Sequence, residues 1–239
     1  MGLIEDNEPR STPARQRPLS VRRRVGGAVL TLIILNTAIE LALSLSDAGI
    51  GLPRGLRALA FHFGAFSPFL LSGAPPAFAL QPETMFISYA FLHGGLAHLA
   101  LNMLALYLFG SVVVDRVGTP RFLVAYTISA IAGAAGFALL GNGITPMVGA
   151  SGALFGLLGV WCCWDFMDKR FYRANTWEIV RPLLYLLLYN LAFMALLQGQ
   201  LAWEAHLGGF IAGWVLALCW GRPVYRRVHT RATPPGDDC

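Results

Sequence analysis

A chain of 239 residues that is 56% apolar and only 13% charged, with a mean hydropathy of +0.57, falls well below the roughly 25% charge of a soluble domain and reads as one membrane domain with short tails. Its net charge of +5 does not mark a nucleic-acid binder, because the basic residues are split among four places rather than gathered on one surface. Four cysteines at these spacings match neither an oxidised framework nor a zinc site.

Residues 1–24 hold an arginine cluster and read as a flexible basic tail. Glu5, Asp6 and Glu8 weaken a transit-peptide reading. The apolar stretch that follows is too long for a signal h-region and lacks a clear cleavage site, so it is expected to be retained. Six stretches reach the roughly 17 to 25 apolar residues of a spanning helix: about 26–45, 92–113, 121–141, 149–166, 178–197 and 203–221. They make up an all-α, polytopic membrane domain over 25–222, followed by a short tail over 223–239. The segment 50–80 is apolar but broken by Pro53, Pro68, Pro75 and Pro76. It reads as a structured outer loop with interfacial helices, partly embedded in the membrane.

Orientation follows from the arginines. With both termini cytoplasmic, the inner side receives Arg10 to Arg24, Arg116, Arg121, Lys169, Arg170, Arg173, Arg181 and Arg222 to Arg231, and only Arg54 and Arg57 lie outside. The inner charges would then meet anionic lipid, in the inner membrane if the cell is bacterial. Cys162 and Cys163 in the fourth span read as packing residues, and Cys219 falls near the inner end of the sixth. Cys239 lacks the context for prenylation.

Spans two, four and six run from outside to inside, so their N-terminal ends share the outer leaflet. His98 and Asn102, Ser151, and His206 each sit near one of those ends, at similar shallow depth given about 1.5 Å of rise per residue. A serine hydroxyl becomes nucleophilic when a base takes its proton, and histidine is suited to that near neutral pH. Glu204 falls on another helical face from His206, which favours a Ser-His dyad over a triad. Ser151 also fits a plain packing role among Gly149, Gly152 and Gly156. Against that, Gly209 and Gly213 share the face of His206 and would let span six approach span four closely. His98 and Asn102, four apart, share a face and could aim two donors at one point with the Ser151 amide, or act as interhelical glue. His93 points elsewhere and reads as a brace for the outer loop. No Cys, Asp or Glu completes a His93/His98 metal site, so no metal or cofactor is expected.

Taken in order, His93-x4-His98-x3-Asn102, Gly149-Ala150-Ser151-Gly152 and Ala205-His206-x2-Gly209-x3-Gly213 resemble the rhomboid family of intramembrane serine proteases, over about residues 26–221. The resemblance implies a six-helix bundle in which Ser151 attacks a peptide bond of a transmembrane substrate and His206 serves as base, then acid. It implies that His98 and Asn102, with the backbone at Ala150 and Ser151, hold the oxyanion. Gly149 would shape the loop before the nucleophile, Phe155 would pack on the catalytic histidine, and span five would resemble the substrate gate. Two departures stand out: Thr84-Met85 where many members have Trp-Arg, and Asp115 where Glu is commoner. The partners implied are transmembrane substrates and lipid; the oligomeric state is not implied.

A substrate helix entering sideways has to unwind before it is cut, so weak helix formers near the bond should favour cleavage. Two other classes compete with hydrolysis. One is a non-cleaving rhomboid-like binder or quality-control factor. The other is a transporter, which would need polar residues through the bundle and repeat symmetry. The main deep polar groups are Asn36, Glu40 and Asn190, read as makers of interhelical or interfacial hydrogen bonds.

Overall fold

The structure is a computed structural model that describes residues 26–141, 145–173 and 202–221, with 175, 177, 178, 180, 181 and 184. Both expected tails, Asn190, Cys239 and most of the expected fifth span lie outside the described residues. Every regular element among the described residues is helical.

The first helix, α1 (Gly27–Ala48), stops at Gly49, whose left-handed φ of 69° lets its N–H reach back to Leu45 and Ser46. It runs three residues past the expected end at 45. Its buried stripe is Val29, Asn36, Glu40, Leu43 and Ser46, whereas Leu30, Ile34, Leu41 and Leu45 face outward, as a helix bordered by lipid requires. Asn36 differs from one expectation: among the described residues its Nδ2 donates to Leu32 O of its own helix, at 2.8 Å, rather than to another helix.

The proline-broken segment forms α2 (Leu56–Gly64), α3 (Pro68–Leu71) and α4 (Gln81–Ser88), then a 3-10 turn over Tyr89–Phe91. Prolines open α3 and α4 in the first turn, where a missing N–H costs nothing. Polar side chains knit the loop together. Gln81 Nε2 donates to His62 O at 2.6 Å, its Oε1 accepts from Ala77 N–H at 2.7 Å, and Ser88 Oγ donates to Gly64 O at 2.8 Å.

Next come α5 (Leu96–Ala105), a widened π turn (Leu106–Gly110) and α6 (Ser111–Leu140), continuous but for a break at Gly118, with φ 78° and ψ 169°, just before Pro120. That break falls between the expected second and third spans. The second span begins at Leu96 rather than 92, because Gly95 takes φ 138°, which a helix cannot include. Two further helices with described bounds are α7 (Ser151–Phe171) and α8 (Trp203–Trp220), and Trp177, Glu178, Val180, Arg181 and Leu184 are also helical. By length and composition α1 and the run Leu96–Leu140 are each sufficient to cross a membrane.

Glycines decide how α6, α7 and α8 meet. A methyl group on Gly209 would overlap Gly152 O, and one on Gly213 would overlap Gly156 O. Both contact positions advance together, so α7 and α8 run parallel with their backbones touching. On the other side, Gly136 of α6 faces the Glu204 carbonyl, and Gly208 of α8 faces the Ala132 carbonyl, which makes that pair antiparallel. Phe122, Tyr126, Leu157, Cys163 and Trp164 fill the buried core below. Between helices in lipid there is little hydrophobic driving force, and close packing of small residues supplies the contact.

The same substitution should therefore act oppositely at two glycines. Gly213→Ala is expected to cost about 1–3 kcal/mol through overpacking. Gly27→Ala, with nothing within 4 Å of the added carbon, should leave stability unchanged or slightly raised. Unfolding midpoints of the two variants in one detergent check this.

Candidate active site

Ser151 is the first residue of α7, and the chain entering that helix is pinned on both sides. Phe66 and Met147 form an antiparallel bridge, with N–H to O distances of 3.0 and 2.8 Å, and Gly149 N–H donates to Tyr89 O at 2.9 Å. Gly149 itself sits at φ 125°, a conformation that side chains rarely allow. The half-buried Ser151 is thus fixed where first-turn N–H groups lack helical partners. Such a helix end favours negative charge.

His206 lies in the first turn and a half of α8 and is 7% exposed. Its ring stacks flat on Phe155, with centroids 4.0 Å apart and planes 3° from parallel. Phe155 is four residues after Ser151 and so on the same helical face. One turn further along α8, Gly209 rests against Gly152 O. The register of two touching backbones therefore sets the imidazole against the face of α7 that begins with Ser151.

His98 approaches from α5. Its Nδ1 accepts a hydrogen bond from Gly94 N–H at 3.3 Å, so in the neutral ring the proton belongs to Nε2. That edge faces the loop before Ser151: a methyl group on Gly149 would lie 2.8 Å from both Cε1 and Nε2 of His98. A neutral imidazole with its N–H beside the start of α7 is a donor suited to an oxyanion. Asn102 is 5% exposed, and its Nδ2 donates to His98 O at 2.9 Å, which engages one of its two N–H bonds within its own helix.

His93 is fully buried and meets His98 edge to face, with centroids 5.2 Å apart. Neither of its ring nitrogens has a hydrogen-bond partner among the described residues. Its backbone carbonyl accepts from Arg57 Nη1 at 2.8 Å. Among the described residues, no three His, Cys, Asp or Glu side chains are grouped as a metal centre would need.

Two residues with no place in the expected site bear on it. Tyr89, wholly buried, holds the Gly149 amide with its carbonyl, while its hydroxyl donates to Ala130 O of α6 at 2.8 Å. Arg57 pairs with Glu40 of α1 through both carboxylate oxygens, at 2.9 and 3.0 Å, and its Nε donates to Asp47 at 2.6 Å. The hydrogen bond to Glu40 raises the Arg57 guanidinium above its ordinary pKa. A carboxylate in span one and an arginine on the outer side were visible as types in the sequence, and opposite charge in an apolar setting was the signal that could have joined them.

Comparison with known proteins places this chain in a family. A family profile described as Rhomboid domain matches residues 82–223, more than half of the chain. RHOMBOID-like protein 5 of Arabidopsis thaliana is 34% identical over 155 residues, covering 64% of this chain and 49% of its own length. Rhomboid protein 1, mitochondrial, of Saccharomyces cerevisiae is 36% identical over 164 residues, covering 60% and 44%. Rhomboid protease GluP of Bacillus subtilis is 32% identical over 132 residues, covering 55% and 25%. The chain thus spans about half the length of these relatives or less.

Gly149 offers a local test of the site's construction. Gly149→Ala combines an unfavourable φ, at about 1–3 kcal/mol, with a methyl group driven into His98. It should lower the unfolding midpoint and shift the His98 ring resonances, read by NMR of histidine-labelled protein.

Proposed function

The chain belongs to the rhomboid family of membrane-embedded proteins, and on that premise we propose that it is an intramembrane serine protease, with Ser151 as nucleophile and His206 as general base. The observation that carries the reading is the convergence on one helix N-terminus: His206 held against the first turns of α7 by Phe155, and the Nε2 edge of His98 against Gly149. The relative from Bacillus subtilis is named a rhomboid protease, which supports the same activity. Six spans with both termini cytoplasmic complete the proposal.

In the reaction, His206 takes the Ser151 hydroxyl proton as the oxygen attacks the carbonyl carbon of the scissile bond. The oxyanion that forms lies toward the His98 Nε2–H, the remaining Asn102 N–H and the backbone at Ala150 and Ser151, all of them fixed before reaction. Collapse of the tetrahedral species breaks the C–N bond, and His206 returns the proton to the leaving amine. Water then enters from the outer side, where Gly94, Thr145 and Pro146 are exposed. His206 deprotonates it for attack on the acyl-enzyme, and the second collapse restores Ser151. The substrate is a transmembrane segment whose outer end unwinds, since a helical peptide bond is shielded by its own hydrogen bonds.

Purified protein in detergent or lipid, treated with a fluorophosphonate probe and with a model transmembrane substrate, tests the proposal. Wild type should be labelled and should cleave, and Ser151→Ala and His206→Ala should each lose at least about 10³-fold in kcat/KM. His98→Ala should lose about 10²–10³-fold, as removal of one oxyanion donor does. Unlabelled wild type that leaves the substrate intact but still binds it would instead establish a non-cleaving binder.

A further inference from the structure

We propose that Arg57 is a positioning residue for His98, acting through the peptide unit that joins His93 to Gly94. The inference deepens the protease reading, on which the catalytic importance of His98 rests. Its basis is that one peptide unit is held from both sides. The His93 carbonyl accepts from Arg57 Nη1 at 2.8 Å, and the Gly94 N–H of the same unit donates to His98 Nδ1 at 3.3 Å. In a planar trans peptide the C=O and N–H point in opposite directions. Fixing the carbonyl toward Arg57 therefore fixes the N–H toward His98.

The consequence is chemical as well as geometric. With an N–H facing Nδ1, that nitrogen must be the acceptor, and the ring proton is placed on Nε2, the edge that faces Gly149. If the peptide plane turned over, Nδ1 would face a carbonyl. The proton would then be drawn to Nδ1, leaving Nε2 as a lone pair unable to donate to an oxyanion. A flexible Gly94-Gly95 pair, the second at φ 138°, has little of its own to prevent that turn.

Arg57 is built to prevent it. Nε donates to Asp47, Nη1 to Glu40 Oε2 and the His93 carbonyl, and Nη2 to Glu40 Oε1 and, at 3.4 Å, to Ser44 Oγ. All five N–H bonds of the planar fork have acceptors. Glu40 is fully buried in α1 and receives a further hydrogen bond from Ser44 Oγ at 3.0 Å. The guanidinium is thereby tied to a spanning helix rather than left to move with the outer loop, and a charged donor on the carbonyl also strengthens the N–H on the far side of the unit.

The test is NMR of the imidazole nitrogens in ¹⁵N-histidine-labelled full-length protein in detergent, with the His98 signals assigned by their loss in His98→Asn, alongside kinetics on a model transmembrane substrate. In wild type, His98 Nδ1 should be the unprotonated nitrogen. In Arg57→Gln both His98 nitrogens should shift toward a mixture of tautomers, while kcat falls about 10- to 100-fold and KM stays unchanged. Arg57→Lys keeps a cation beside Glu40 but not the planar fork. It should show the same shift, and it is the variant to read if Arg57→Gln does not fold. Wild type with Nε2 unprotonated overturns the proposal without any variant, as does a folded Arg57 variant with wild-type His98 nitrogens and kcat. If wild type cleaves nothing while the nitrogens shift as described, the positioning role is upheld and the protease reading alone falls.

Discussion

The contact between the α7 and α8 backbones is the constraint from which the rest of the site follows. Gly152 and Gly156 present carbonyl oxygens where Gly209 and Gly213 present nothing larger than hydrogen, so the helix axes come closer than any side chain would allow. Only at that separation does an imidazole on α8 lie flat on a ring of α7. A larger residue at Gly209 or Gly213 would move His206 away from the start of α7 without touching either the serine or the histidine. Burial of apolar area has little part in this, because lipid is as apolar as the helix surfaces it would leave.

A second support comes from the segment between α1 and α5. The short helices of the first loop are fastened to α1 by the Glu40–Arg57 pair, to the loop before α7 by the Phe66–Met147 bridge, and to α6 through Tyr89. Thr84 and Met85 stand where the family resemblance led to an expectation of Trp-Arg, and Met85 is wholly buried. In this chain the guanidinium paired with Glu40 comes from α2, twenty-eight residues before Met85 in the sequence. A carboxylate buried in the interior of a membrane protein is costly unless paired, so Glu40, on the buried stripe of α1, requires such a partner as much as the loop requires an anchor.

Several features were legible because they are local. The span of α1, the start of α8 and the break between the second and third spans follow from runs of apolar residues interrupted by glycine and proline. The placement of His98, Ser151 and His206 in the first turns of their helices was legible in the same way. The stacking of Phe155 on His206 was implied only by the family resemblance, and the structure shows it. Other features were not legible, because they join residues far apart in the chain. Nothing in the neighbourhood of Tyr89 foretells that its carbonyl would hold Gly149. Asn102 was expected to aim at the oxyanion, but one of its N–H bonds is turned back onto His98 O. The helix start at Leu96 was missed because Leu92 and His93 continue the apolar run while the backbone at Gly95 does not continue the helix.

By itself, the sequence determined which segments are apolar enough to span, which residues in them can carry chemistry, and roughly where along its helix each one falls, since composition and periodicity act along one helix at a time. The tertiary structure decided which helical faces meet, which charges pair and which nitrogen of His98 carries the proton. Those outcomes depend on contacts between distant segments, where the orientation of a single peptide unit or the absence of one methyl group changes what a side chain faces.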